Sequence, residues 1–148
     1  DKSLISKASN LSKVINNLSF NGKYFVDNAQ RIDGKGVPNK NLISETAQYF
    51  AYFFNIRSDE SFALNMINCS NDKSLAPSAV FIGKFLRLLN LYKLHEYQKI
   101  LDEFIPYFGK MSLLTGTLWE KENPTASCNH GFASVLGPII FDCYNKIK

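Results

Sequence analysis

Apolar residues return every three or four positions at the start of the chain, at Leu4, Ala8, Leu11, Ile15 and Leu18, with Ser, Lys and Asn between them. That period places them on one face and predicts an amphipathic helix over residues 3–18. Asn21-Gly22 ends it. From Lys23 to Lys40 the period is lost, and Asp33-Gly34, Gly36 and Pro38 predict a long irregular or partly extended connection. Ser44 reads as the N-cap of a second helix, to about Asn55. Beyond its first turn this helix is apolar nearly all round, so other elements have to surround it.

A short helix is expected at Glu60–Ile67, stopped by the polar Ser70–Ser74 stretch. Pro77 is expected to open the next helix, to about Tyr92. Ile82, Phe85, Leu86 and Leu89 share one face of it, and Phe81, Leu88 and Tyr92 form a second apolar row. Between His95 and about Tyr107 the pattern narrows to a single stripe of Tyr97, Ile100, Leu101, Phe104, Ile105 and Phe108. A final helix is expected from about Asn129 to Lys146, striped by Phe132, Val135, Leu136, Ile139, Ile140, Cys143 and Tyr144 and kinked by Pro138. Helices apolar all round thus alternate with one-sided helices. An inner and an outer layer would produce this, which predicts an all-α fold: a partial α/α toroid of about five or six helices with one long irregular connection. A plain bundle or a solenoid is the structural alternative, and no internal repeat supports a solenoid.

The 148 residues suffice for one core, and a single all-helical domain over 1–148 is expected. Twelve Phe and seven Tyr are many for this length, and most serve to fill helical interiors. The net charge of +4 comes from 17 Lys and Arg spread along the chain without a basic patch, which gives nucleic-acid binding no support. No apolar run approaches the ~18 residues of a membrane span. Cys69, Cys128 and Cys143 fit no zinc spacing and are expected as buried or partly buried thiols. No metal or cofactor is implied. The chain opens at Asp1 rather than Met, so export cannot be read from its start.

Chemistry concentrates in one stretch, Gly116-Thr117-Leu118-Trp119-Glu120 followed by Asn123 through Phe132. A carboxylate beside an indole suits a sugar site: the indole offers a flat apolar face, and the carboxylate takes a proton from water. His130, beside Asn129 and Ser127, is expected in the first turn of the last helix, where unpaired N–H groups favour an anion nearby. By spacing alone, a Trp before a helix also serves as a core plug, and a Glu there as a solvated or capping residue.

Gly116-Thr117-Leu118-Trp119-Glu120 together with Ala126-Ser127-Cys128-Asn129-His130-Gly131-Phe132-Ala133-Ser134 resembles the C-terminal signature of bacterial α-L-rhamnosidase-type enzymes, the family 78 glycoside hydrolases. Phe25-Val26-Asp27-Asn28-Ala29, Ser44-Glu45-Thr46-Ala47-Gln48-Tyr49-Phe50-Ala51 and Ala76-Pro77-Ser78-Ala79-Val80-Phe81-Ile82-Gly83 are similar to earlier segments of the same catalytic domain, so the resemblance runs from about Phe25 to Tyr144. It implies the last third to half of an (α/α)6 barrel and an inverting hydrolysis in which Glu120 is the general base and His130 contacts the sugar. Trp119 would form the pocket wall or pack beneath it, and Asn129 belongs to the same sugar-contacting motif. Glu45 and Gln48 would line the site or support it from behind. The link from Glu120 to His130 is shorter than in the better-studied members, which leaves the sugar itself open between rhamnose and related ones. The general acid of such an enzyme would lie upstream of this chain, so the chain alone is expected to be inactive. The resemblance further implies a carbohydrate partner and a periplasmic or secreted parent enzyme. Exposed barrel faces would lead to self-association. The rival accounts are a noncatalytic helical module that binds protein or glycan, and an α/α toroid with another sugar chemistry such as a polysaccharide lyase, which needs a Tyr or His base.

Overall fold

In a computed structural model the chain is mostly helical, with six α-helices and one small two-stranded sheet among the described residues. The structure describes residues 1–148 except Lys40, Asn41, Ala79, Pro124, Ala126 and His130, and the side chains of Ala29, Gln30, Pro38 and Phe132 are likewise outside the description. The chain divides into two compact units, Asp1–Ser78 and Ala79–Lys148.

The first unit opens with α1 (Lys2–Ser19), capped by the Asp1 carboxylate, which accepts from Ser3 N. The helix is the one the apolar period predicts, yet none of its residues is fully buried, and Leu4, Leu11 and Leu18 remain exposed. The predicted irregular connection contains a hairpin, β1 (Ala29–Ile32) and β2 (Lys35–Pro38), antiparallel with Ile32 opposite Lys35. Asp33 and Gly34 both have positive φ (49° and 78°), the conformation that a two-residue hairpin turn demands. Asp-Gly was therefore a hairpin signal, obscured because the flanking residues do not alternate.

Helix α2 (Glu45–Phe53) begins where Ser44 predicts, and Ser44 Oγ accepts from Ala47 N at 3.2 Å. Its surround is incomplete: Tyr49 and Tyr52 are buried, whereas Phe50 and Phe54 reach solvent. Helix α3 (Glu60–Asn68), capped by Asp59, packs on α2 and runs into a 3-10 turn at Cys69–Asn71. Phe20, Phe25 and Phe62 meet at 5.1–6.0 Å in the core of this unit. Asp72 ties the unit's surface by accepting from Ser74, Lys23 Nζ and Tyr24 Oη; these bonds, that of Ser74 foremost, hold its carboxyl well below the usual carboxylate range.

The second unit holds α4 (Phe81–Lys93), α5 (Tyr97–Thr115), a 3-10 turn (Gly131–Val135) and α6 (Leu136–Lys146). Three predicted boundaries move. The fourth helix starts at Phe81 rather than Pro77, because Ala76 bridges to Ser44 and Val80 bridges to Lys121 in extended backbone. The fifth continues past Tyr107 to Thr115, since Phe108 and Met111 prolong its buried stripe and Gly116 stops it in the left-handed conformation (φ 72°). The last does not start at Asn129. The α-helix begins at Leu136 after the 3-10 turn, which puts Pro138 in its first turn, where the missing N–H costs no helical bond.

The core of this unit is Phe81, Leu88, Leu91, Ile100, Phe104, Phe108 and Leu136, together with Cys143. Ile82, expected on a buried face, turns outward. The three cysteines are free thiols, Cys69 and Cys143 buried and Cys128 half-buried. Among the described residues no helix is long and apolar enough to cross a membrane.

One charged pair at the edge of this core was not anticipated. Arg87 is only 1% exposed and forms a fork with Glu103, Nε to Oε2 at 2.6 Å and Nη2 to Oε1 at 2.7 Å. Burial pushes the Glu103 carboxyl up, but the Arg87 and Lys99 charges and bonds outweigh it and hold the group below its ordinary value. A carboxyl depressed in the folded state stabilises the fold above its unfolded pKa, and that contribution fades as pH falls through the folded value. Glu103→Gln is therefore expected to cost about 3 kcal/mol at pH 7 by taking the carboxylate from a buried guanidinium. Lys99→Ala should cost under about 0.5 kcal/mol. Urea denaturation at pH 7 and pH 3 checks both, and the Gln variant should lose less stability on acidification than the parent.

Candidate functional site

The Trp119-Glu120 loop follows Gly116, whose left-handed turn lets the chain leave α5 sharply. Two cross-links then fold the loop back on itself. The Thr117 hydroxyl donates to the Cys128 carbonyl, and Glu120 N donates to the Ser127 carbonyl at 2.9 Å. A third bond anchors it to α4: Phe81 N, the first amide of that helix, donates to the Glu120 carbonyl at 2.8 Å. Val80 at the N-cap has no side chain to accept such a bond, so the loop backbone supplies the acceptor.

Trp119 packs beneath the loop. It is 3% exposed, and its indole Nε1 donates to Thr115 Oγ1 at 2.7 Å. Thr115 in turn donates to the Met111 carbonyl. The indole is thus buried under its own loop.

Glu120 is half-buried, and it lines a cleft of about 840 Å³ with Val80, Phe81, Ile82, Phe85, Gly131, Ser134 and Val135. Volumes of this order are usual for small-molecule sites. Its walls are apolar on the α4 side, and Glu120 is the only charged group among the described residues that line it. The sequence placed Ile82 and Phe85 on a common helix face but gave no hint that this face borders a cleft. Gly131 and Ser134 line the same cleft; His130 lies outside the described residues. Asn129 is exposed, and its carbonyl accepts from the Ser127 hydroxyl at 3.3 Å. Nearby, burial and the Glu122 carboxylate push the Tyr107 phenol up to about 12, with Lys84 Nζ 5.2 Å from its ring centroid.

Glu45 and Gln48 belong to the first unit, where both are committed to internal bonds. Glu45 Oε2 accepts from Tyr49 Oη at 3.0 Å and Ser78 N at 3.1 Å. Gln48 is fully buried and clips the extended segment before the hairpin: Oε1 accepts from Phe25 N at 2.8 Å, and Nε2 donates to Phe25 O at 2.9 Å and Ser44 O at 2.8 Å. Both side chains are thus spent on bonds within the first unit.

Trp119 is the only tryptophan in the chain, so its emission reports on this loop alone. We expect a blue-shifted native spectrum that iodide quenches poorly, and a red shift with full quenching in urea. Strong iodide quenching of the native protein would contradict the buried indole.

Compared with known proteins, the chain matches no family model, no curated protein and no solved structure.

Proposed function

We propose that this chain is the C-terminal portion of an (α/α)6 barrel from an inverting glycoside hydrolase of the α-L-rhamnosidase type, with Glu120 as the general base. The observation that carries this reading is a half-exposed carboxylate set into an otherwise apolar, sugar-sized cleft by bonds on both sides of its own backbone. A sugar's C–H face lies against apolar walls such as Phe81 and Phe85, and Glu120 takes the proton from the water that attacks the anomeric carbon. Inversion needs a second carboxyl group roughly 6.5–9.5 Å from the base, to protonate the leaving oxygen. In this reading that group lies upstream, and the chain alone does not turn over glycosides.

The second reading, a noncatalytic interaction module, draws on the burial of Trp119 and the internal commitments of Glu45 and Gln48. The two readings part at Glu120. In the full-length parent enzyme, Glu120→Gln is expected to lower turnover of an aryl α-L-rhamnoside by ~10²–10⁴. Unchanged turnover would remove Glu120 from the mechanism.

An open barrel also leaves apolar side chains facing water. Leu4 and Leu11 on α1, Leu113 and Leu114 at the end of α5, and Phe141 on α6 are all exposed. Where such residues lie together on a cut face, that face finds a partner. Light scattering of the isolated chain should show association that grows with concentration, and a monomer at all concentrations would count against a cut barrel.

A further inference from the structure

The first unit contains a separate cavity of about 470 Å³ at the start of α2, bounded by the end of α1, the Phe25–Asp27 segment and the first turns of α2. Its floor is apolar, with Phe25, Ala47 and Ala51. Phe50 forms one wall; its ring is 38% exposed and is backed by Phe54 in a near-parallel stack at 5.9 Å and 19°. The stack places a second aromatic ring behind Phe50.

The polar groups of the rim are mainly acceptors. Asp27 Oδ1 accepts from Ser44 N at 2.8 Å and from Ser44 Oγ at 2.9 Å, which leaves Oδ2 open among the described residues. The Thr46 hydroxyl spends its proton on Ser78 Oγ at 2.9 Å and keeps its lone pairs. Ser19 Oγ makes no bond among the described residues. An anion is excluded here, because a carboxylate already stands at the helix start. The best match is a neutral ring that donates hydrogen bonds along one edge and offers an apolar face to an aromatic plane. A pyranose has both features.

We propose that this cavity is a carbohydrate-binding subsite for a neutral pyranose, with Asp27 Oδ2 accepting from ring hydroxyls and Phe50 as the stacking platform. It is carried by the first unit alone and does not depend on the reading of Glu120. The test is a ¹H–¹⁵N titration of the chain with methyl α-L-rhamnopyranoside and, in parallel, methyl α-D-mannopyranoside. At least one of the two should shift the amides of Asp27, Ser44, Thr46, Ala47 and Phe50. Shifts at Phe81, Ile82, Phe85 and Glu120 report the other cleft separately, so the two proposals succeed or fail independently. Asp27→Asn keeps an oxygen for Ser44 but turns the open acceptor into a donor, and it should weaken binding at least tenfold with the remaining spectrum unchanged. Phe50→Ala, at a half-exposed position, should do the same and serves if the first variant fails to fold. Three results would overturn the proposal: no shift in the first unit with either glycoside, equal binding by both variants, or equal shifts with tetramethylammonium, which would make the cavity a cation site.

Discussion

Every helix begins with amide groups that its own turns cannot satisfy, and in this chain the way that debt is met decides where the candidate chemistry sits. In the first unit side chains meet it: Asp1, Ser44 and Asp59 each accept from an amide two or three residues on. Helix α4 has no such residue, since Val80 stands at its N-cap. The acceptor comes instead from the carbonyl of Glu120, about forty residues later in the chain by sequence position. Satisfying the helix and fixing the Glu120 backbone are therefore one event. Wherever Phe81 begins its helix, the Glu120 side chain is delivered beside Phe81, Ile82 and Phe85.

The loop needs this anchor because its remaining order is local. Thr117 and Glu120 reach across to Cys128 and Ser127, which closes the loop as a narrow fold-back, and Trp119 fills the space beneath it. The indole N–H, which would be costly to bury alone, goes to Thr115, whose own proton goes to the preceding helical turn. The tryptophan thus stiffens the support of the carboxylate without forming the surface a ligand would meet. A Trp-Glu pair in sequence is read naturally as two halves of one sugar contact. Here adjacent residues point to opposite sides of a loop, one inward and one outward.

What the sequence disclosed follows from the range of the forces involved. Helices α1, α2 and α3 were legible because period and cap are local signals, and Ser44 and the Glu60 start lie where those signals put them. The start of α4 was not, because the bridge from Val80 to Lys121 overrides Pro77, and nothing near Pro77 announces it. The end of α5 was misplaced by reading the stripe only as far as Phe108, although Met111 continues it to a glycine stop. The hairpin was masked by weak alternation around Asp33-Gly34. For the candidate site, the motif singled out Glu120, but one wall of the cleft it lines comes from α4, which no local pattern connects to it. Arg87 was invisible as a buried charge, because in sequence it interrupts an apolar run as any solvated arginine would.

The buried polar groups sharpen what Glu120 is. Glu45, Gln48 and Arg87 are all nearly excluded from water, and each has bonds that hold two parts of its unit together: α2 to the Ser78 backbone, α2 to the Phe25 backbone, and α4 to α5. Burying such groups is tolerable only when their bonds are made, and once made those bonds are no longer free for a ligand. Glu120 shows the reverse arrangement. Its backbone carries the structural bonds, while its carboxylate stands half in water against apolar walls. The structural bonds at Glu120 are thus made by its main chain, and its side chain is left at the cleft.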